Sequence, residues 1–381
     1  MSLITKDAKQ AYINKFKSEP ILVFSPGRIN IIGEHTDYNG GFVFPAAVNL
    51  GIVVAIGKSN TNKSNAIALD LNSSITFELN NLKPSKQVAW ANYVFGVIAE
   101  LQKENKHLDN FNIVVKGNIP AGSGMSSSAA LENGVVFGLN EVFNLGLTKT
   151  EMIFISQKAE HNFVGVKCGI MDQYASMFGA KNNALLLDCK SIKAKSYEID
   201  FKNHQFVLIN TNVKHSLSDS AYNDRRAACE KVAKLLNITT LREATERDLQ
   251  KIEALLTPEN YQKALYVIQE IERTQKAAKA IENNNLQKLG KLIYASHNGL
   301  QNQYKVSCKE LDFLVDQAKK DKNVLGARMM GGGFGGCTIN LIENDSTANF
   351  ISTTSKAYKK EFNKDCTVYF VKLATGTHLV E

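Results

Sequence analysis

A two-domain chain of mixed strands and helices, its halves facing a shared cleft, is what the sequence predicts, and three observations predict it. The 381 residues exceed the size at which a single hydrophobic core usually stops growing. Period-two and helical apolar patterns alternate along the chain instead of one of them dominating. Composition shifts after about residue 205, where a long Lys/Arg/Glu-rich helical stretch with few glycines follows from roughly 218 to 320. The boundary is therefore expected near residue 200, with 1–200 as the first domain and 201–381 as the second.

In chain order, helical spacing over 6–16 is stopped by Pro20 and followed by a short apolar strand at 21–24. Residues 25–41, SPGRINIIGEHTDYNGG, read as a turn-rich stretch that concentrates polar groups between apolar strands. The alternation in GIVVAIG, NAIALDL and ITFEL between 50 and 80 predicts an antiparallel meander. An amphipathic helix at 90–104, a strand at 111–117 and a Gly/Ser loop opening a helix at the serines come next. Helical periodicity resumes at 148–164, CGIMDQYASMFG enters another helix, and ALLLDCK at 184–190 is a strand. The last segment returns to alternation in GARMMGGGFGGCTINLI, then predicts a helix near 346–362 and a strand in CTVYFVKLA.

Hydrophobic residues at 44% and charged residues at 22% are those of a chain that folds throughout. The net charge of +8 comes from scattered lysines, which excludes a nucleic-acid footprint, since that needs a stripe or patch. Six cysteines with neither CxxC nor CxC spacing read as reduced cytosolic thiols, with no disulfide framework and no zinc site. The N-terminus has no apolar core of a signal peptide and no run of roughly 18 apolar residues occurs, so a cytoplasmic protein without a membrane partner is expected.

Four groups of residues could carry chemistry. In PAGSGMSSSAA at 120–130, Gly122 and Gly124 let backbone N–H groups approach an anion, and the serines present hydroxyls at a helix N-terminus. There is no GxxxxGK[ST] and no GxGxxG with an acidic ribose reader, so a divalent cation must supply countercharge to any phosphate bound there. Ser128 and a carboxylate such as Glu160 have the oxygen donors that Mg²⁺ takes. Glu34, His35, Thr36 and Asp37, between Gly33 and Asn39-Gly40-Gly41, suit the gripping of adjacent sugar hydroxyls. Asp172 could accept a proton from a substrate hydroxyl, with Arg28 as the complementary cation. Each has a plainer reading beside it: a serine N-cap for the loop, a solvated helix residue for Glu160, a metal site for the His-Thr-Asp turn, an N-cap for Asp172 and a structural ion pair for Arg28.

Taken together, three segments in this order resemble the galactokinases, within the superfamily of homoserine, mevalonate and phosphomevalonate kinases. SPGRINIIGEHTDYNGG at 25–41 is similar to the galactokinase signature, PAGSGMSSSAAL at 120–131 to the superfamily's ATP loop, and MMGGGFGGCTI at 329–339 to its third Gly-rich motif. The resemblance covers nearly the whole chain. It implies an α+β fold with mixed sheets and a left-handed crossover, and phosphorylation of galactose on its anomeric hydroxyl by ATP. It implies that Glu34, His35, Asp37, Gly169 and Tyr222 contact the sugar, and Thr36 lies in the same turn. Gly122, Ser123, Gly124, Met125, Ser126, Ser127 and Ser128 would surround the triphosphate, Ser128 and Glu160 would hold Mg²⁺, Asp172 would accept the proton and Arg28 would stabilise the transition state. Trp90 and Tyr93 would line an adenine pocket, with plain helix packing as the alternative. The partners expected are galactose and ATP, acting on a monomer or weak homodimer.

Two rival readings follow from the same resemblance. A non-catalytic sugar sensor would lack the Ser-Ala step, which is intact here as Ser128-Ala129-Ala130. An acetamido-sugar kinase would depart from the Glu-His-Thr-Asp-Tyr turn, which here keeps the galactose pattern.

Overall fold

The computed structural model describes residues 1–213 and 218–380. In chain order its strands are β1 (Ile21–Asn30), β2 (Phe42–Val43), β3 (Pro45–Lys58), β4 (Ser64–Ala68), β5 (Ser73–Phe77), β6 (Phe111–Gly117), β7 (Asn183–Asp188), β8 (Lys193–Glu198), β9 (His204–Asn210), β10 (Val324–Met329), β11 (Cys337–Glu343), β12 (Thr367–Phe370) and β13 (His378–Leu379). The helices are α1 (Leu3–Phe16), α2 (Ala91–Lys103), α3 (Ser127–Phe143), α4 (Lys149–Ala159), α5 (Met171–Phe178), α6 (Ser218–Leu235), α7 (Glu246–Lys251), α8 (Pro258–Glu282), α9 (Leu286–Gly299), α10 (Lys309–Lys320) and α11 (Thr347–Phe362).

A six-stranded sheet has the order β13-β1-β3-β6-β4-β5, antiparallel except for the β4–β6 pair. An antiparallel four-stranded sheet runs β10-β11-β9-β12, and β2, β7 and β8 form a third. Strands and helices are thus combined with both parallel and antiparallel pairing, the α+β arrangement expected. Two expectations are corrected. The segment at 50–80 is not a meander, because β6 inserts between β3 and β4; alternation fixes which face of a strand is apolar but not which strand it pairs with. The strand expected at 21–24 continues to Asn30, through residues that read as turn. The pairing with β3 shifts register between Pro26 and Arg28, and a bulge is where a strand accommodates proline.

Local chemistry sets several helix starts. Thr148 and Glu151 form a reciprocal capping box on α4, and Thr257 caps α8 with Pro258 in its first turn. The α3 helix differs. Its N-cap position, Ser126, has φ 54° and makes no side-chain cap bond, so the first N–H groups of α3 lack a capping side chain. Further along, Gly134 and Gly138 bring α3 against β3: a Cβ at either would lie 2.8 Å from Val54 or Ile56. This close approach fixes where the start of α3 projects.

The core containing Val54, Ile56, Val97, Val135 and Leu139 lies under α2 and α3. A second core joins Ile29, Ile31, Ile32 and Phe44 to Ala277, Ile293 and Ile339. The polar turn after β1 therefore rests on side chains from far along the sequence. The chain's end returns as well: β13 pairs with β1, and Lys149 donates to the Thr377 carbonyl at 3.0 Å.

Candidate active site

Arg28, Glu34, His35, Asp37, Asp172 and Tyr222 line one cavity of about 120 Å³, closed on another side by Gly331 and Gly332. The turn after β1 brings the first of these inward by adopting left-handed backbone at Gly33 and His35. Such a conformation in histidine needs external support. Glu270 on α8, fully buried, accepts from the Gly33 N–H at 3.0 Å and from the Ser296 hydroxyl at 2.5 Å. Tyr266 donates to the Glu34 carbonyl at 3.0 Å. Arg328, fully buried on β10, donates to the Asn30 carbonyl, to the Ile31 carbonyl at 2.8 Å and to Glu34 Oε1 at 3.1 Å. The Gly331 N–H reaches the same oxygen at 2.7 Å.

Thr36 is not brought to the cavity. Its hydroxyl bonds the Gly33 and Phe42 carbonyls at 2.9 and 2.6 Å, so its work is to close the turn. Gly169, by contrast, is needed where it is: a Cβ there would collide with the Asp37 carboxylate.

The titratable groups of the cavity are driven apart by their surroundings. Burial acts to raise Glu34, but Arg328, Arg28 and the Gly331 N–H outweigh it and hold the carboxyl below its ordinary value. Burial pushes His35 down to about 4, against the raising influence of Glu34. Asp37 is pushed up to about 6 by burial and then by the nearby Asp172. The cavity thus offers an ionised carboxylate at Glu34, a neutral imidazole at His35 and a carboxyl at Asp37 that titrates just below neutrality.

Asp172 sits in the first turn of α5 and is reached from two directions. Arg28 donates from Nε and Nη2 to Oδ1, both at 2.8 Å, and also holds the Gly124 carbonyl. Ser126 donates its hydroxyl to Oδ2, which is why that serine does not cap α3. The N-cap reading of Asp172 is overturned, since Ile170 holds that position. The loop at 120–126 also meets the third Gly-rich segment: a Cβ at Gly331 would be 3.4 Å from Gly124, and one at Gly336 would be 3.3 Å from the Gly122 carbonyl.

Glu160 ends α4 and is buried, not solvated. Burial and then Asp172 push it up to about 7, opposed by hydrogen bonds from Cys168, Ser128 and Gln173. Gln173 donates from Nε2 to Glu160 at 3.0 Å and to Glu132 at 3.3 Å. A buried carboxylate beside a serine hydroxyl, with no ion-pair partner among the described residues, fits a hard divalent ion that keeps most of its water. No group of three or more His, Cys, Asp or Glu side chains placed for a metal occurs among the described residues. The metal reading of the His-Thr-Asp turn does not survive either, because both His35 nitrogens are engaged, by Tyr38 at 2.8 Å and the Gly332 carbonyl at 3.2 Å.

On the other side of Ser127 and Ser128 lies a second recess of about 270 Å³, walled by Leu71, Trp90, Tyr93, Ile119 and Leu131. The Trp90 indole is fixed by an N–H bond to Ser73 Oγ at 3.1 Å.

Sequence reasoning missed Arg328, Glu270, Tyr266, Tyr38 and Tyr304, which build the cavity from behind. A lone arginine in GARMM and a glutamate in a charged helix carry no local mark of burial. Arg328 could have been suspected only from its place inside an apolar strand pattern.

A cleft-lining carboxylate paired with arginine, beside an uncapped helix start and a third Gly-rich segment, defines a kinase of the GHMP class. Sequence profiles described as the GHMP kinases N terminal domain and GHMP kinases C terminal match residues 92–180 and 277–357. The fold agrees: the mevalonate kinase of Methanococcus jannaschii superposes with a TM-score of 0.63 at 19% identity, over 94% of this chain and all of that one. Within the class, the galactokinase galactose-binding signature matches residues 10–58. The galactokinases of Clostridium acetobutylicum and Clostridium beijerinckii are each 40% identical to this chain, over 93% and 99% of it and 93% and 96% of theirs. The structure of Lactococcus lactis galactokinase complexed with galactose superposes with a TM-score of 0.93 at 34% identity, over 98% of both chains. The chain belongs to the galactokinase family.

Proposed function

We propose that this chain is an ATP-dependent kinase that transfers the γ-phosphoryl group of ATP to the anomeric hydroxyl of galactose, giving galactose 1-phosphate and ADP, the first committed step of galactose catabolism. The observation that carries the reading is Asp172, fixed by Arg28 and Ser126 between the polar cavity and the start of α3. Glu34, His35, Asp37 and Tyr222 offer the charged and neutral hydrogen-bonding groups that a hydroxyl-rich ligand needs. Gly169 admits the Asp37 carboxylate to that grip.

In the reaction the sugar O1 forms a bond to the γ-phosphorus, the bond from that phosphorus to its bridging oxygen breaks, ADP leaves and the hydroxyl proton passes to Asp172. Arg28, aligned along Asp172, stabilises negative charge as it develops on the transferring group. Residues 122–128 and the uncapped N–H groups of α3 receive the triphosphate. Trp90 and Tyr93, with Leu71 and Ile119, line the recess that would take the base. Ser128 and Glu160 would hold Mg²⁺, which when bound supplies countercharge to the phosphates. Thr36 supports the turn without touching sugar.

The division of the chain near residue 200 belongs to the same proposal, supported by the β9–β12 sheet, which uses only later residues, and by the six-stranded sheet, which uses earlier ones apart from β13. Action in the cytoplasm as a monomer or weak homodimer completes it. No helix among the described residues is long and apolar enough to cross a membrane.

The test is coupled ADP release over a panel of sugars at equal concentration. Galactose is expected to support the fastest release; faster release with N-acetylgalactosamine, or none with any sugar, overturns the reading.

A further inference from the structure

A buried file of hydroxyl groups runs from the polar cavity into the molecule and takes no part in the transfer described above. The Cys229 thiol on α6 lies 3.4 Å from the Tyr304 hydroxyl, which lies 2.7 Å from the Tyr38 hydroxyl. Tyr38 in turn lies 2.8 Å from His35 Nδ1, and His35 Nε2 lies 3.2 Å from the Gly332 carbonyl. Tyr304 and Cys229 are wholly or almost wholly buried, so no bulk water competes for these bonds.

The direction of each bond follows from its chemistry. A carbonyl only accepts, so the proton between His35 and Gly332 is on Nε2. Burial keeps the ring neutral, hence Nδ1 bears a lone pair and accepts. The Tyr38 hydroxyl gives its single proton to Nδ1 and must itself accept from Tyr304, whose oxygen accepts from the Cys229 thiol. No step admits the reverse sense without placing two protons, or none, between neighbours.

We infer that Tyr38 and Tyr304 are positioning residues that hold His35 in the Nε2–H tautomer, with its one N–H committed to the Gly332 carbonyl, so that the polar turn is tied to the third Gly-rich segment. Resting on the reading of the cavity as the sugar site, this fixes the ring that faces the ligand, because Nε2–H donates to Gly332 and Nδ1 accepts from Tyr38. Tyr304, Tyr222 and Tyr38 also surround the imidazole, with centroid separations of 4.9, 5.3 and 5.9 Å. The charged groups that act on it are Glu34 and Arg225, and neither replaces the hydrogen bond at Nδ1.

Long-range ¹H–¹⁵N NMR of histidine-labelled protein without sugar, with the His35 signals assigned by their loss in H35N, reads the tautomer directly. A protonated Nε2 and a lone-pair Nδ1 are expected between pH 6 and 8; a protonated Nδ1 overturns the inference. In Tyr38→Phe the Nδ1 signal should move toward a tautomer mixture, and the galactose KM should rise roughly tenfold with the ATP KM unchanged. Tyr304→Phe, one bond further away, should move both in the same direction by less. Unchanged Nδ1 signals and galactose KM in both variants would also sink it. Absence of galactose phosphorylation by the unaltered protein would count against the sugar reading, and the sugar-free spectrum would still decide the tautomer.

Discussion

The polar cavity and the apolar recess meet at the start of α3, and they are built by opposite means. In the cavity, buried polar groups are held by side chains: Glu34 by Arg328, the Gly33 N–H by Glu270, and His35 by Tyr38, which Tyr304 bonds in turn. In the recess, apolar walls and a glycine-rich backbone surround the uncapped end of one helix. A site made of buried side chains depends on each of its members, because removing one strands its partner without a hydrogen bond. A site made of backbone N–H groups depends on conformation and tolerates changes of side chain that leave that conformation alone. Substitutions in the two regions should therefore differ in kind: sharp and sugar-directed in the first, graded and nucleotide-directed in the second.

The largest effect is expected at the junction itself. Asp172→Asn keeps the shape of the side chain and removes the proposed proton acceptor, so kcat should fall by roughly 10²–10⁴-fold. The binding of a non-hydrolysable ATP analogue, measured by calorimetry, should persist, because the Gly/Ser loop keeps its own backbone. Full turnover in this variant would remove Asp172 from the mechanism, and joint loss of both functions would mean that the two regions are not separable as described.

An intermediate effect concerns pH and belongs to the cavity alone. Asp37, raised to about 6 by burial and by Asp172, takes up a proton as the pH falls below that value. The galactose KM should then climb, approaching tenfold for each further pH unit. Stability should run the other way. A folded carboxyl whose value is raised from 3.8 contributes stability that is fully present below pH 3.8 and is lost as the pH rises through about 6. Thermal melts of the sugar-free protein at pH 5 and 7 should show this loss, and Asp37→Asn should reduce it. A galactose KM that ignores pH between 5 and 7 would mean that Asp37 does not grip the sugar.

The contrast also explains what could be read from the sequence. The Gly/Ser loop and the helix it opens are contiguous, so PAGSGMSSSAA displayed the backbone part of one region in eleven residues, while its apolar walls at Leu71, Trp90 and Tyr93 come from elsewhere in the chain. The polar turn was visible too, but its supports were not. Arg328 bonds Glu34 across 294 positions, Tyr304 bonds Tyr38 across 266 and Glu270 bonds Gly33 across 237. No local pattern encodes a partner at such distances, and α8 reads as an ordinary charged helix because most of its polar residues are indeed solvated. The strand through Ser25–Asn30 was hidden for a related reason. Proline, glycine and arginine argue for a turn in isolation, whereas pairing with β3 across a bulge and the buried Arg28–Asp172 bond make them a strand. Thr36 shows the converse, since membership of the polar turn suggested a contact while the side chain lies outside the cavity and bonds the turn's own carbonyls.

The smallest effects should come from the loop, where two glycines separate conformation from contact. Both lie in the left-handed region, Gly122 at φ 68° and Gly124 at φ 73°, so alanine at either strains the backbone by about 1 kcal/mol, or roughly fivefold in affinity. At Gly122 nothing lies within 4 Å of the added Cβ, and Gly122→Ala should raise the ATP KM by that factor and leave the galactose KM and kcat alone. At Gly124 the same methyl comes to 3.0 Å from the Met330 carbonyl, and the Gly124 carbonyl is itself held by Arg28. Gly124→Ala should therefore weaken nucleotide binding further and lower kcat as well, because the displaced loop drags on the Arg28–Asp172 pair. Steady-state kinetics on the two variants tests the boundary between the regions within a span of three residues. Equal effects in both would show that the loop acts only through its own backbone, with no mechanical link to Asp172.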